Sequence, residues 1–433
     1  MISPWLGPAG DPLKRVLVVF PTAWDAKQLA ACRIGLGAEL EIELARPALE
    51  DCPWRFDVLG FIEEQVRRGA GRIHGVLSSS DYPGAAAAAA IARGLGLPGP
   101  EPAALLRCSH KYYARLAQRE AVPDATPPFA LVPARLPLAP LAGVPFPCFV
   151  KPVKGSFSVL ARRIADAAEL EAFLEQAAVR EFTELHMQMF NQLVAHWTPF
   201  EIDGGHFIAE GLLPGSLVTV EGFAAGGEVE ILGVVDSILH PETGSFLRFD
   251  YPSALPEPVQ QRMAAIARRA IQGLGLRDSP FNVEMAFDPE RDRIGIIEVN
   301  PRLCGQFADL YQKVDGVHGY EVALALATGR RPVLRRGEGA FRRASSFPLR
   351  TFAPARVLSA PDAARIAEVE REFPGALVWC ECEPGQVLAD FTSGEDGSSA
   401  RYAVVNLGAP DAEELLARFE ALRARLGFAL APL

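Results

Sequence analysis

The stretch FNVEMAFDPERDRIGIIEVNPRLCGQF, residues 281–307, contains two apolar segments separated by a polar turn. This pattern predicts an antiparallel hairpin of strands 281–287 and 294–300. If the turn is symmetric about Arg291, Glu284 lies opposite Glu298 and Asn282 lies opposite Asn300. These four side chains would share one face. The opposite, buried face would then carry the apolar side chains of Val283, Met285, Phe287, Ile297 and Val299.

The paired glutamates predict a metal site. Two carboxylates opposite each other repel, and a divalent cation removes that repulsion. Mg²⁺ fits best, because it takes one or two carboxylates and fills its remaining positions with phosphate and water oxygens. Glu284, Glu298 and Asn300 are therefore the candidate metal ligands. The alternative is an ordinary hairpin with a solvated acidic face.

Arg302 follows this hairpin after Pro301, which restricts the path of the chain. Its guanidinium can reach back over the polar face and bind a developing anion. We therefore predict a catalytic role for Arg302. The alternative is a salt bridge to one of the glutamates.

Lysine is rare in this chain: only six of its 43 basic residues are lysines. Lys151 and Lys154 flank the end of a predicted strand that opens into Gly155–Ser158. Backbone amides, hydroxyl groups and ammonium groups close together suit polyphosphate binding. The alternative is a hairpin turn with surface lysines.

Composition excludes several classes of protein. The net charge of −10 and the pI near 5.4 argue against nucleic-acid binding. No apolar run is long enough to cross a bilayer, so we expect no membrane association and a cytoplasmic location. The seven scattered cysteines indicate reduced structural thiols.

Three regions are predicted. Residues 1–100 alternate strands with helices, which indicates a parallel α/β sheet. Residues 101–330 read as a two-lobed α+β body, beginning with a helix over 103–120 and a proline-rich connection over 122–147. Residues 331–433 form a smaller C-terminal α+β unit.

The motifs together resemble the ATP-grasp superfamily, and within it the biotin-carboxylase-like carboxylate-amine ligases. The resemblance covers residues 100–330 in detail. It is carried by Lys111, FVKPVKGSFSV (149–159), AEGLLPG (209–215), FNVEMAF (281–287) and IIEVNPRLCGQF (296–307). The implied fold is an N-terminal pre-ATP-grasp α/β domain, a two-lobed ATP-binding body and a small C-terminal α+β domain.

The resemblance implies roles for individual residues. Lys111 and Lys151 would contact ATP phosphates from the two sides of the cleft, while Glu284, Glu298 and Asn300 would hold two Mg²⁺ ions. Arg302 would stabilise an acyl phosphate. Two further groups complete the implied ATP site: a phosphate cover formed by Lys154, Ser156 and Ser158, and an adenine hinge formed by Glu210, Gly211 and Leu213.

The implied reaction activates a carboxylate as an acyl phosphate, couples it to an amine and releases ADP and phosphate. After Gln306 this chain reads Phe307-Ala308-Asp309-Leu310, without the acidic residues that serve bicarbonate chemistry in biotin carboxylases. ATP-dependent carboxylation or enolate phosphorylation, and a non-catalytic nucleotide-binding module, are the alternatives. The expected partners are a small-molecule carboxylate and an amine, and a homodimer is a possible assembly.

Other polar residues are candidate substrate contacts. Glu221 lies on a predicted strand near the hinge, with a surface charge as the alternative. Arg248, together with Asp250, would line a carboxylate pocket or simply form an ordinary ion pair. Gln306 is the third candidate, and Cys304 is interpreted as a buried thiol rather than a nucleophile. No motif specifies the acid or the amine.

Overall fold

The computed structural model describes residues 14–36, 40–47, 55–134, 143–155, 159–389 and 399–433. Ser156 and Ser158 of the predicted phosphate cover therefore lie outside the described residues. Within the described ranges, no helix combines the length and the hydropathy needed to cross a bilayer.

The N-terminal region is the predicted parallel α/β unit. Its three-stranded sheet has the order β2-β1-β3, and both pairings are parallel. Alanines 85–90 of its third helix are all buried, because their small side chains let helix and sheet approach closely. The elements are β1 (Lys14–Val19), α1 (Ala23–Leu36), β2 (Leu40–Ala45), α2 (Val58–Gly69), β3 (Gly75–Leu77) and α3 (Gly84–Gly94).

The next region forms a lobe around a four-stranded antiparallel sheet of order β4-β7-β5-β6. Its elements are α4 (Pro102–Ser109), α5 (Lys111–Ala121), β4 (Phe129–Pro133), β5 (Cys148–Pro152), β6 (Arg162–Ile164), α6 (Ala167–Leu174), α7 (Ala177–Glu181), α8 (Gln188–Trp197) and β7 (His206–Gly211). Side chains of α8 pack with the alanines of α3 in one apolar cluster. The first lobe is therefore joined to the N-terminal unit through a common core.

Two predictions for this lobe are wrong. The helix expected over 103–120 is broken at His110, whose backbone is extended (φ −92°, ψ 98°). The connection expected over 122–147 contains β4, which pairs with β7. The proline-rich composition gave no signal for this strand. Proline is tolerated here because β4 is an edge strand.

The second lobe contains the predicted hairpin. Its elements are β8 (Ser216–Ala225), β9 (Glu228–Leu239), β10 (Phe246–Tyr251), α9 (Glu257–Leu274), β11 (Ser279–Asp288), β12 (Arg293–Asn300), α10 (Ala308–Asp315) and α11 (Gly319–Ala327). Helix α9 buries one face, including Val259, Met263 and Ala267, against the apolar side of the sheet. Gly275 ends the helix in the left-handed conformation (φ 73°). The polar side of the sheet is left to face the cleft.

The C-terminal region continues the same sheet. Strand β10 pairs with β13, which gives one eight-stranded sheet of order β12-β11-β8-β9-β10-β13-β17-β15. The remaining elements are β13 (Arg343–Thr351), β14 (Ala355–Ser359), α12 (Ala363–Glu372), β15 (Leu377–Cys380), β16 (Val387–Leu388), β17 (Ala400–Ala409), α13 (Ala412–Leu426) and β18 (Ala429–Pro432). The C-terminal unit therefore shares backbone hydrogen bonds with the second lobe.

The predicted register of the hairpin is confirmed at its polar end. Asn282 pairs with Asn300, and Glu284 pairs with Glu298. A bulge then shifts the register by one residue, so that Met285 pairs with Ile296. Ile297 was expected in the core, but Ile296 packs there and Ile297 lines the cleft. An irregularity of this kind has no signal in an alternating apolar pattern.

Candidate active site

A cavity of ≈ 680 Å³ lies between the four-stranded sheet and the polar face of the eight-stranded sheet. This volume is typical of sites for small ligands. Its apolar part includes Phe149, Leu213, Leu217, Leu239 and Phe246. Its polar end is formed by Lys111, Lys151, Glu210, Glu284 and Glu298. The cavity thus has an apolar part and a charged end.

Glu284, Glu298 and Asn300 converge at the polar end. The Nδ2 atom of Asn300 lies 3.1 Å from Oε1 of Glu284 and 3.2 Å from Oε1 of Glu298. It also lies 2.8 Å from Oδ1 of Asn282. The structure therefore brings together the three residues that the sequence predicted as metal ligands.

The two glutamates have different electrostatic surroundings. Burial and the neighbouring charge of Glu298 raise the pKa of Glu284 to about 7. Burial also raises the pKa of Glu298, but the ammonium groups of Lys111 and Lys151 more than offset this effect and hold it at about 2. Glu298 is thus held ionised by the two lysines, whereas the charges of Arg302, Lys151 and Lys111 offset the effects of burial and of Glu298 on Glu284 only in part.

The donor set at this position fits Mg²⁺. Two carboxylates and one amide leave most coordination positions for phosphate and water oxygens, as Mg²⁺ prefers. Within the described ranges no group of three histidine, cysteine or acidic side chains could hold a metal ion. For Asn300 to offer its carbonyl oxygen, its amide must turn over, because Nδ2 now faces the carboxylates.

Lys111 and Lys151 reach the polar end from two sides. Lys111, at the start of α5, places Nζ 3.1 Å from Oε2 of Glu298 and donates to the carbonyl of Gly155. Lys151, on β5, donates to the carbonyl of Ile297 and lies 2.9 Å from Glu210 Oε2. Both predicted phosphate lysines therefore lie in the cavity.

Glu210 is the centre of a buried ionic cluster. Its carboxylate contacts Arg115 Nε at 2.6 Å as well as Lys151. Burial alone would raise the pKa of Glu210, but these two cations lower it below its ordinary value. Its side chain is thus occupied by ion pairs. Gly211, Leu212 and Leu213 line the cavity.

Lys154 is not among the described residues that line the cavity, and it forms an ion pair with Asp81, whose Oδ2 atom lies 2.7 Å from its Nζ. Asp81 belongs to the loop that follows β3. Its Oδ1 atom also lies 3.9 Å from Nε of Arg302. The N-terminal unit therefore contributes a carboxylate beside the cationic residues of the site.

Arg302 is turned back toward the polar face, as predicted. The amide of Arg302 donates to the carbonyl of Asn300 at 2.9 Å, which makes a tight turn around Pro301. Its Nη1 atom is buried and has no hydrogen-bond partner among the described residues. Among the described residues, Arg302 forms no close salt bridge to a glutamate, in contrast to the alternative given above.

Glu221 is buried, with 2% of its surface exposed. It lies on β8 directly opposite Asn282, so Glu221, Asn282 and Asn300 form one row across three strands. The surface-charge alternative is therefore wrong.

The other candidate contacts lie in ordinary interactions. Arg248 Nε pairs with Asp250 Oδ2 at 2.9 Å, and Ser345 also donates to Asp250. Gln306 donates to Ser346 of β13. Burial raises the pKa of the Cys304 thiol to about 12, as expected for an unreactive cysteine. Neither Arg248 nor Gln306 is part of the described lining of the cavity.

Sequence reasoning missed Arg115 and Asp81. Arg115 had a usable signal, because it lies four residues after Lys111 and so shares its helical face. Asp81 had none, since it follows a strand of a different sheet. Only the tertiary structure brings it to Lys154.

Comparisons with known proteins agree with this architecture. Residues 144–309 match the family model of the ATP-grasp domain. The L-amino acid ligase of Bacillus licheniformis superposes with a TM-score of 0.73 at 18% identity, covering 96% of this chain and 98% of that chain. The biotin carboxylase of Campylobacter jejuni superposes with a TM-score of 0.65 at 14% identity, covering 97% and 92%. The fold is the ATP-grasp fold, as predicted.

A sequence relative is the uncharacterized protein y4rH of Sinorhizobium fredii. It is 27% identical over 251 residues, which are 54% of this chain and 45% of that protein. This chain thus spans less than half the length of y4rH.

Proposed function

We propose that this chain, which carries an ATP-grasp domain, is an ATP-dependent ligase that joins a carboxylate to an amine. The observation that carries the proposal is the convergence of Glu284, Glu298 and Asn300 with Lys111 and Lys151 at one end of a nucleotide-sized cavity. Arg302 lies beside them, and its Nη1 atom has no hydrogen-bond partner in the part of the chain that the structure describes.

ATP would bind with its base in the apolar part of the cavity. The backbone of Gly211 to Leu213 offers hydrogen-bonding groups there, while Phe149 and Phe246 offer apolar surface. The phosphates would lie at Lys111 and Lys151, with Lys154, Ser156 and Ser158 as the proposed cover. Lys154 must leave Asp81 to take part. Closure of such a cover excludes water from a reactive intermediate.

Glu284, Glu298 and Asn300 would hold Mg²⁺, and we propose two ions. Bound Mg²⁺ would neutralise charge on the phosphoryl group during transfer. Lys111 would then interact with two groups, because it pairs with Glu298 and would also contact phosphate oxygens. Glu210 keeps the buried Lys151 paired, so that its ammonium group stays positioned at the polar end.

The reaction has two steps. A carboxylate oxygen of the first substrate takes the γ-phosphoryl group, which gives ADP and an acyl phosphate. The amine then adds to the acyl carbon and phosphate leaves. Arg302 would stabilise the negative oxygen that develops at this carbon. Amino acids are the first acids to test, because an L-amino acid ligase has the same fold over nearly the whole chain.

The test is to incubate the purified protein with Mg-ATP, amino acids and other carboxylates, and a panel of amines. Products are identified by mass spectrometry. With an ¹⁸O-labelled carboxylate, the released phosphate should carry one ¹⁸O atom, because the acyl phosphate bridges through that oxygen. Formation of AMP and pyrophosphate would overturn the proposal. Bicarbonate-dependent ADP release without an amine would point to carboxylation instead, and nucleotide binding without turnover would point to a non-catalytic module.

A further inference from the structure

Glu221 is a buried carboxyl group that the roles given above do not use. Asn282 lies within hydrogen-bond reach, with Nδ2 3.5 Å from Oε1 of Glu221, and the Tyr311 hydroxyl interacts with the same carboxyl group. No salt bridge to Glu221 forms within the described part of the chain. A buried carboxyl group with so little compensation is costly to the fold. Such a position is typical of a group that meets a ligand.

Two further polar atoms next to Glu221 also lack partners. The hydroxyl of Tyr311 and Nη1 of Arg302 are buried, and neither has a hydrogen-bond partner among the described residues. Both residues interact with the carboxyl group of Glu221, Arg302 through its charge and Tyr311 through its hydroxyl group. Glu221 on β8 thus accepts a long hydrogen bond from Asn282, while the Tyr311 hydroxyl on α10 and Nη1 of Arg302 after β12 have no hydrogen bond of ordinary geometry among the described residues.

This place borders the proposed reaction centre. Glu221 lies in the row of residues next to the row that contains Glu284 and Glu298. Arg302, with 18% of its side chain exposed, interacts electrostatically with both Glu221 and Glu284. A molecule bound at Glu221 would therefore contact the same arginine that we assign to the acyl phosphate.

We infer that Glu221 and Tyr311 form the subsite for the amine acceptor beside Arg302, and that Glu221 takes a proton from its ammonium group. The inference rests on the proposed ligase function. The chemistry favours a primary ammonium, because a carboxyl group repels an anionic acid but attracts a cation. Tyr311 can orient the same nitrogen through its hydroxyl group.

The proton balance is complete. The carboxylate of Glu221 accepts one proton from R′NH₃⁺, which leaves the nucleophile R′NH₂. The nitrogen lone pair forms the C–N bond, and the C–O bond to phosphate breaks with its electron pair on the leaving phosphate. The second N–H proton leaves with phosphate, and Glu221 returns its proton to solvent. Burial raises the pKa of Glu221 to about 8, which suits proton exchange with an amine.

The test compares an ordinary primary amine with hydroxylamine in the Glu221→Gln variant. Hydroxylamine is uncharged at neutral pH, so it traps an acyl phosphate as a hydroxamate without a base. We expect kcat/KM for the primary amine to fall about 10²- to 10⁴-fold. The kcat/KM for hydroxamate formation should stay within about threefold of the wild-type value. Retained hydroxamate also shows that the variant is folded and activates the acid.

Each outcome has one meaning. Equal losses with both nucleophiles, or an increased KM for the acid, would overturn the acceptor subsite and place the acid's own polar group at Glu221. Absence of hydroxamate with wild-type protein would overturn the proposed function itself. Glu63→Gln, an exposed substitution on α2, is the matched control and should change neither reaction. Tyr311→Phe should raise KM for the primary amine without changing hydroxamate formation.

Discussion

Glu284 and Glu298 face each other across β11 and β12, and Asn300 lies within 3.2 Å of both carboxylates. We expect Glu284→Gln to stabilise the ligand-free protein by about 1 kcal/mol, because it removes repulsion between buried like charges. The variant should also lose the extra thermal stability that Mg-ATP gives the wild type. Thermal unfolding with and without Mg-ATP measures both effects.

The same substitution has a predictable pH dependence. The pKa of Glu284 is raised to about 7 in the folded protein, so its ionisation destabilises the fold as pH rises toward that value. The gain from Glu284→Gln should therefore be complete above pH 7. It should vanish below the ordinary pKa of glutamate, about 4, where the wild-type carboxyl is protonated in both states. A gain that grows as pH falls would contradict this assignment.

Glu210→Gln should destabilise the protein strongly. It leaves Arg115 and Lys151 buried without their shared carboxylate, which costs about 3–5 kcal/mol in comparable pairs. The pKa of Glu210 is lowered on folding, so its stabilising contribution is present above the ordinary glutamate pKa and is lost as pH falls through the folded value. Urea unfolding should show a large deficit at pH 7 that shrinks below about pH 4. Glu63→Gln, which is exposed, should change stability by less than about 0.5 kcal/mol.

Arg302→Ala should lower kcat of ligation by about 10²- to 10³-fold, because a preorganised cation is removed from a developing negative charge. ATP affinity should be nearly unchanged, since Arg302 is not among the described residues that line the nucleotide cavity. Calorimetric titration with ATP and a steady-state assay separate the two quantities. Arg180→Ala, an exposed change on α7, controls for lost surface charge. A large loss of ATP affinity would mean that Arg302 acts on the nucleotide instead.

Gly215 follows the predicted adenine hinge and packs against the hairpin. Substitution of Gly215 therefore shows how tightly this segment packs there. Its φ is +108°, and a Cβ there would lie 1.9 Å from the carbonyl oxygen of Phe287. Gly227 is a matched control, because its φ is +90° and a Cβ there meets nothing within 4 Å. Both changes to alanine should incur about 1 kcal/mol of backbone strain. Only Gly215→Ala should cost a further 1–3 kcal/mol or so and weaken ATP binding. Equal losses in denaturant unfolding would show that the hinge can shift freely.

The sequence by itself determined the hairpin and most of the charged end of the cavity. Period-two alternation and a polar turn placed Glu284 opposite Glu298, because side-chain direction in a strand depends only on local geometry. Lys151 and Arg302 could be selected by residue type and position, and Lys111 by the resemblance to ATP-grasp enzymes. The β-bulge at Ile297 could not be predicted, because an unpaired residue in a strand leaves no signal in the apolar pattern.

Only the tertiary structure decided which charges meet. Asp81 reaches Lys154 from another sheet, Arg115 shares Glu210 with Lys151, and the buried Glu221 lies beside Arg302 and Tyr311. Long-range contacts set the dielectric environment and the partners of each group, and these determine its charge state. The sequence determines which chemical groups the site contains. The fold determines their protonation, their ion pairs and their positions relative to Arg302.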